Sequence, residues 1–322
     1  MASRVLFAVA TWIFASCGIC SAQVYPTKPV RYIVPFTAGG SPDIVARLLS
    51  DRLSRMWGQQ VVVDNRAGAG GTLGAAIAAR AAPDGYTIFQ CNIASNAIAA
   101  SLYLKLPYDQ LRDFAPVSRI GTTASALVIH PAQPMTTVAE FIAYAKANPG
   151  KLSYGSSGAG TSPHLAMELL KTMARIDVVH IAYKGAAPAL ADLMGGQVPV
   201  SISNIPAVLS PVQAGRMRVL AVTSVKRAPQ LPSTPTMIES GLPGYEVTSW
   251  YGVCAPAGTP LSVLGKWHTD LLKVLQTPDV QQRFNDLVIE VAPTTREAFA
   301  DYIRSETQRW AQVVKEAGLK PQ

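Results

Sequence analysis

The stretch that decides the fold is Pro35-Phe36-Thr37-Ala38-Gly39-Gly40-Ser41-Pro42-Asp43, which completes an apolar run beginning at Val30. The apolar run, Val30–Pro35, predicts a buried strand. The Ser-Pro pair predicts the start of a helix, with Ser41 as the N-cap and Pro42 at the first helical position. The two glycines between strand and helix let the backbone bend and approach a ligand closely. We interpret this stretch as a strand–loop–helix unit of an α/β fold.

The same design recurs further along the chain. The strand-like segment Leu152–Gly155 leads into Ser156-Ser157-Gly158-Ala159-Gly160-Thr161, and Ser162-Pro163-His164 opens a second helix. Each glycine loop then presents backbone N–H groups at the positive end of a helix, which is a ready anion site. The copies lie about one domain length apart, which suggests one loop in each of two domains, facing each other across a cleft. The alternative is ordinary turn and capping chemistry, in which Asp43 serves only the helix dipole.

Strand-like runs alternate with helical patterns along the rest of the chain. Further strands are predicted at Gln60–Asp64, Thr87–Cys91, Val178–Tyr183, Val198–Ser203, Val219–Thr223 and Val247–Ala255. A capping box formed by Thr137 and Glu140 predicts a helix start, and three helices are expected to close the chain. The Pro- and Gly-rich stretch Arg227–Gly244 is interpreted as an irregular connection. This alternation predicts α/β units with parallel sheets.

The first 22 residues are typical of a secretory signal. Arg4 is followed by the apolar stretch Val5–Ala15 and then by small residues ending at Ala22. The apolar stretch is shorter than the roughly 20 residues that cross a bilayer, which disfavours a membrane anchor. Removal of this leader takes away Arg4, so the net charge of +8 becomes +7 on the exported chain, and nucleic acid is not expected as a partner.

Metal, redox and nucleotide chemistry are disfavoured by the sequence. After removal of the leader only Cys91 and Cys254 remain, and their pairing is left open because buried free thiols fit as well. The four histidines lie at scattered positions without metal-ligand spacing, so neither a metal nor a cofactor is expected. Gly155 to Ser162 resembles a P-loop, but Thr161 stands where the phosphate-binding lysine must be.

Polar residues that follow two other predicted strands are further candidates for ligand contact. Asn92 and Ser95 follow Thr87–Cys91, and Asn204 follows Val198–Ser203. In α/β sheets, ligands bind beside the carboxyl ends of the strands. These residues are therefore expected to share a cleft with the two glycine loops.

A secreted serine hydrolase is the competing class. Ser156 and Ser162 lie close in sequence to His164, which is the pairing that a nucleophile and its base require. No Gly-x-Ser-x-Gly motif is formed, and the sequence offers no orienting partner for the histidine. His164 is therefore expected to face the ligand or cap its helix, and no catalytic residue is assigned.

Several motifs together resemble the Bug or TctC-type solute receptors of tripartite tricarboxylate transporters. The matching segments are Tyr25–Arg31, Pro35–Arg47, Asn65–Gly71, Pro83–Thr87, Leu106–Asp109, Tyr154–His164, Gly195–Val198 and Gly252–Pro260. They are spread over nearly the whole chain that follows the leader. The first loop departs from the family pattern, because Thr37-Ala38 stands where proline is often found.

The resemblance implies a two-domain periplasmic-binding-protein fold of type II, the Venus-flytrap fold, with two strands crossing between the domains. It also implies one carboxylate-bearing ligand in the cleft, a small organic acid or amino acid held mainly by backbone amides. The ligand-binding residues are expected to be Phe36, Thr37, Ala38, Gly39, Gly40, Asp43, Asn92, Ser95, Ser156, Ser157, Gly160, Thr161, Ser162, His164 and Asn204.

The predicted domains are 23–125 together with 249–322, and 126–248 inserted between them. The expected function is capture of the acid in the periplasm and its delivery to the membrane permease subunits of the transporter. The protein is expected to be a monomer and not an enzyme. A ligand sensor for a signalling system would need the same clamshell, so that alternative stays open.

Overall fold

The structure is a computed structural model that describes residues 25–316. The predicted signal, residues 1–22, lies outside the described residues. Within 25–316, no helix combines the length and the apolarity that crossing a membrane requires.

Ten strands and ten α-helices alternate along this part of the chain. The strands are β1 (Val30–Val34), β2 (Val61–Asn65), β3 (Thr87–Asn92), β4 (Phe114–Ile129), β5 (Ser153–Ser156), β6 (Val179–Ala182), β7 (Val200–Asn204), β8 (Arg218–Val222), β9 (Thr248–Pro256) and β10 (Glu290–Val291). The helices are α1 (Ser41–Trp57), α2 (Thr72–Ala79), α3 (Ala99–Leu102), α4 (Val138–Ala147), α5 (Ser162–Ala174), α6 (Ala186–Met194), α7 (Ile205–Gln213), α8 (Leu261–Leu275), α9 (Pro278–Asp286) and α10 (Arg296–Glu316). Short helical turns at Ala69–Gly71 and Ala94–Ile98 precede α2 and α3.

The strands follow the order β2-β1-β3-β9-β4-β7-β5-β6, with β8 and β10 also paired to β4. The groups β1–β3 and β5–β7 are internally parallel, whereas β9 and β4 run antiparallel to their neighbours. Strand β4 pairs with β9 over Phe114–Ala124 and with β7 over Ser125–Ile129. This long strand therefore connects the two parallel groups.

The α/β fold class is confirmed, but the expectation of parallel sheets is wrong for the strands at the centre. Strand β4 is absent from the sequence-based assignment. Its apolar pattern is interrupted by Pro116 and Gly121, and its register against β9 shifts twice, between Pro116 and Ser118 and between Arg119 and Gly121. A strand with such irregularities lacks the steady period-2 signal on which sequence reasoning depends.

Helices pack on both faces of the β1–β3 group. Tyr32 and Leu49 share one apolar cluster with Trp267 of α8, whereas Ile33 and Phe89 belong to a cluster on the opposite face. This division follows from the alternation of side chains along a strand. The packing fixes the carboxyl ends of β1 and β3, from which the loops of the site begin.

Cys91 and Cys254 form a disulfide, which answers a question that the sequence left open. In the ladder between β3 and β9, Cys91 lies opposite Gly252 and Phe89 lies opposite Cys254, so the two cysteines are diagonal neighbours. Both side chains are fully buried. The disulfide links β3 to β9, and both of these strands carry residues of the site described below.

Candidate ligand-binding site

One cavity collects the loops and strand ends that the sequence singled out. The cavity and the solvent space at its open mouth together amount to about 460 Å³. Its walls are Phe36, Gly40, Ser41 and Pro42 after β1, Asn92, Ile93 and Ala94 at the end of β3, Ser157, Thr161, Ser162 and Pro163 after β5, Ala186 on α6, Ser203 and Asn204 on β7, and Ser249, Trp250 and Tyr251 on β9. Both glycine loops therefore contribute to a single cavity.

The first loop is held by the carboxylate of Asp43. Asp43 Oδ2 accepts hydrogen bonds from the backbone N–H of Gly39 and from Arg47 Nε, both at 2.9 Å, and Oδ1 accepts from Asn65 Nδ2 at 2.9 Å. Burial works to raise the pKa of Asp43, but these hydrogen bonds and the charge of Arg47 outweigh it and lower the pKa. Gly39 has a φ of +81°, a conformation that favours glycine. The charged carboxylate thus fixes the bend that leads into α1.

The second loop is held in the same way by a neutral side chain. Gly160 has a φ of +76°, and its N–H donates to His164 Nδ1 at 3.2 Å. Like Asp43, His164 is the third residue of its helix, and like Asp43 it bonds to the N–H four residues before it. The two loops therefore match in hydrogen bonding as well as in sequence.

The helix starts differ from the prediction by one residue. Gly40 and Thr161 are the N-caps, with extended backbone, whereas Ser41 and Ser162 already belong to their helices. Neither observed N-cap makes a side-chain capping hydrogen bond, and the third residue of each helix accepts a loop N–H. The N–H groups of Ser41 and Ser162 are in the first turn, where helices offer no internal acceptor, and both residues line the cavity.

Two stacked imidazoles support the second loop. The rings of His164 and His180 lie 4.2 Å apart, and His180 stacks in turn on Tyr154 at 4.8 Å. His180 Nε2 is 2.7 Å from Ser156 Oγ, which also accepts the N–H of Gly158 at 3.1 Å. Burial lowers the pKa of His164 to about 4 and that of His180 to about 3, so both rings are neutral near pH 7.

A chain of hydrogen bonds joins β7, β9 and the start of α5 at the floor of the cavity. Asn204 Oδ1 accepts from Ser125 Oγ at 2.8 Å and from Ser249 Oγ at 3.0 Å, and Asn204 Nδ2 donates to Tyr251 Oη at 2.9 Å. Ser249 is also hydrogen-bonded to Ser162. The side-chain amide of Asn204 therefore positions Ser125, Ser249 and Tyr251.

The end of β3 forms a compact turn. Asn92 Oδ1 accepts the N–H groups of Ala94 and Ser95, at 2.9 and 3.2 Å, and Asn92 Nδ2 donates to Ser95 Oγ at 3.0 Å. Ser95 Oγ donates to Asn96 Oδ1 at 2.8 Å. Asn92 reaches the cavity, whereas Ser95 supports it from behind.

No residue that lines the cavity within 25–316 carries a charged side chain. Hydroxyl groups, Asn92, Asn204 and first-turn N–H groups provide the polar surface, and the remainder is apolar. An anion in this cavity would be stabilised by aligned N–H dipoles at two helix N-termini.

The sequence-predicted residues fall into two groups. Those that line the cavity are Phe36, Gly40, Asn92, Ser157, Thr161, Ser162 and Asn204. Those that lie behind or beside it are Thr37, Ala38, Gly39, Asp43, Ser95, Ser156, Gly160 and His164. In the second group, Gly39, Asp43, Ser156, Gly160 and His164 hold the shape of the loops through the hydrogen bonds described above.

Sequence reasoning missed Ser249 and the role of His180. From the sequence, Trp250 and Tyr251 are candidates to close over an apolar part of the ligand, with core packing as the default interpretation. Both are almost fully buried and also line the cavity. Ser249 and His180 stand in ordinary strand sequence with no local signal. Only the pairing of β9 with β3 and β4, and of β6 with β5, brings them to the site.

Neither Ser156 nor Ser162 pairs with His164, as the serine-hydrolase alternative would require. Ser162 bonds to Ser249, and His164 accepts a backbone N–H, so neither meets the other. Ser156 pairs with His180, but Ser156 is fully buried and does not line the cavity. The serine and histidine side chains hold loops here.

Residues 45–319 match the family described as the tripartite tricarboxylate transporter family receptor, TctC. Protein BugT of Bordetella pertussis is 38% identical over 319 residues, covering 98% of each chain. An R. palustris protein solved with adipate has a TM-score of 0.90 and 38% identity, covering 92% of this chain and 100% of that one. MatC from Rhodopseudomonas palustris, solved with bound malate, has a TM-score of 0.85 and 31% identity, covering 90% and 100%. The resemblance noted in the sequence is therefore confirmed: this chain belongs to the TctC family of solute receptors, which includes the Bug proteins.

Proposed function

We propose that the protein is a periplasmic receptor that captures a small carboxylate between its two glycine loops and delivers it to a membrane permease. The observation that carries this proposal is the convergence of two matched helix N-termini on one cavity without charged lining residues. The N–H groups of Ser41 and Ser162 supply hydrogen bonds that an anionic oxygen accepts strongly. The relatives solved with adipate and malate support a carboxylate as the ligand class.

The two loops belong to two proposed domains. The first domain is 23–125 with 249–322, and the second is 126–248. Support for this division comes from β4 and β9: β4 changes its partner from β9 to β7 between Ala124 and Ser125, and β9 begins at Thr248. Bending of these strands would open and close the cleft around the ligand.

Binding without bond cleavage is the chemistry that the site supports best. The candidate nucleophiles are committed to structural hydrogen bonds, and both histidines of the second loop are buried neutral bases whose pKa values lie far below 7. Such groups hold a loop in place, and delivery to a permease requires the ligand to leave unchanged.

A thermal-shift screen of mono-, di- and tricarboxylates, each beside its neutral amide, tests the ligand class. A ligand present at about 100 times its dissociation constant stabilises its receptor by about 2.7 kcal/mol, which is readily measured as a higher melting temperature. We expect a subset of the acids to stabilise the protein and the matched amides to have little effect. The proposal would be rejected if only the amides stabilised the protein, or if none of the acids did.

Two glycines at opposite ends of α1 provide a matched test of the first loop. Gly39 and Gly58 both have positive φ, +81° and +64°, and a Cβ added to Gly58 would have no atom within 4 Å. Gly39→Ala and Gly58→Ala are therefore expected to lose similar stability, about 1–2 kcal/mol each. Only Gly39→Ala is expected to weaken binding of the acid found in the screen. Equal affinities for both variants would contradict a role for the first loop.

A further inference from the structure

Two close contacts between the proposed domains lie outside the cavity. Thr37 lies in the first glycine loop, and Gly185 precedes α6 in the second domain. A Cβ atom added to Gly185 would clash with Thr37 Oγ1 and would lie 3.0 Å from both Cβ and Cγ2 of that threonine. The two chain segments can approach this closely because residue 185 has no side chain.

Rotation of the threonine can move Oγ1 away from the added Cβ, but it cannot remove the contact. Thr37 Cβ stays 3.0 Å from the added atom in every rotamer, which is tighter than ordinary van der Waals contact, so the neighbouring backbone must still give way. The backbone of Gly185 is extended, with φ 167° and ψ 176°, a conformation that any residue adopts. The need for glycine at this position therefore comes from the opposite domain and not from the local backbone.

The second approach is between Gly70 and the second glycine loop. A Cβ on Gly70 would clash with the carbonyl oxygen of Ala159, and a Cβ on Gly158 would lie 3.5 Å from Gly70 Cα. Carbonyl oxygens cannot rotate away as side chains do. Gly70 has a φ of +60°, so a substitution there would also strain its own loop. Gly185 is therefore the better position for a test, because a substitution there adds no strain to its own backbone.

We propose that Thr37–Gly185 and Gly70–Ala159 form a closure latch, two close contacts that permit the closed form of the cleft without touching the ligand. None of the four residues lines the cavity. The latch rests on the proposed function, because it assumes that the two domains separate and close. A side chain at residue 185 would hold the domains apart while leaving every cavity-lining residue unchanged.

A pair of engineered cysteines reports closure without any ligand. In this structure, a Cβ added to Gly40 lies 3.9 Å from Ala186 Cβ, within the usual disulfide range of about 3.5–4.5 Å. Gly40 has φ −76° and ψ 163°, which a cysteine adopts without strain. The parent protein for the test is therefore Gly40→Cys with Ala186→Cys, and the measured quantity is the rate of cross-linking under mild oxidation.

The variant Gly185→Ala, added to this parent, is expected to slow cross-linking at least about tenfold, because overpacking a tight contact disfavours the closed form. Gly195→Ala is the matched control at the other end of α6. Its backbone suits alanine, with φ −81°, and its added Cβ meets nothing closer than 3.4 Å. This control is expected to cross-link at the parent rate. Adding Thr37→Gly to the slowed variant removes the clashing atoms and is expected to restore most of the rate.

Three results would overturn the latch. The first is a parent that does not cross-link, since the loops would then not meet in solution. The second is cross-linking of Gly185→Ala at the parent rate. The third is a melting temperature of Gly185→Ala, without the cysteine pair, well below that of Gly195→Ala, since the contact would then belong to the fold. Because no ligand is used, failure of the carboxylate screen with intact latch behaviour would reject the proposed function alone.

Discussion

Acidification is expected to destabilise the second glycine loop through His164, and the size of the effect follows from its burial. The residue His164 is 7% exposed, and burial lowers the pKa of its imidazole from 6.5 to about 4. The unfolded chain takes up a proton near pH 6.5, but the native state does so only near pH 4. The free energy of unfolding therefore falls as the pH decreases through this window, by about 3 kcal/mol at pH 4 for this one group.

The variant His164→Asn isolates this contribution. An asparagine Oδ1 stands near the position of the imidazole Nδ1, so it can still accept the N–H of Gly160, but it does not titrate. Guanidinium unfolding, followed between about pH 7 and pH 4, gives the pH dependence of stability for both proteins. Carboxylates that titrate in the same window affect both equally and cancel in the difference.

We expect the stability of the natural protein to fall more steeply than that of His164→Asn, by about 2–3 kcal/mol across the window. His180 and the Lys171–Glu168 pair remain in the variant. Loss of His164 removes only the smaller cause of the lowered His180 pKa, because burial is the larger one. Parallel pH profiles for the two proteins would refute the assignment of His164 as a buried neutral base. A steeper profile for the variant would do so as well.

Three further substitutions test other parts of the molecule. Replacing Cys91 and Cys254 together by Ala opens a covalent loop of sequence separation 163. The chain-entropy contribution to the loss of stability is about 5 kcal/mol, and an unchanged guanidinium midpoint would contradict it. Gln90→Met is expected to raise the free energy of unfolding by about 1–2 kcal/mol, because Gln90 is fully buried with neither amide atom hydrogen-bonded; lower stability would count against this. Asp43→Ala is expected to lower carboxylate affinity in calorimetry at least about tenfold, because the Gly39 N–H loses its acceptor; unchanged affinity would show that the loop keeps its shape without it.

The parts of the site that sequence revealed are those with local chemical signals. Glycine, serine and proline between an apolar run and a helical pattern marked both loops, and their repetition pointed to a shared ligand. The sequence also placed Asp43 and His164 at the helix starts. It did not reveal that both accept the N–H four residues earlier, because that bond depends on the loop conformation.

The parts that sequence missed depend on contacts between distant segments. Ser249 reaches the cavity because β9 lies between β3 and β4, a pairing that an interrupted strand such as β4 conceals. His180 matters because β6 pairs with β5 and brings its ring onto that of His164. The disulfide between Cys91 and Cys254 likewise follows from strand register and from no spacing rule.

The central claim is that neutral groups, mainly N–H dipoles at two helix starts, hold one carboxylate in this cavity. The most direct test is calorimetric titration with the acid that the thermal-shift screen selects and with its neutral amide of the same size. Because hydrogen bonds to a charged acceptor are about twice as strong as those to a neutral one, we predict that the acid binds at least about 100-fold more tightly. Equal affinity for acid and amide would contradict the claim.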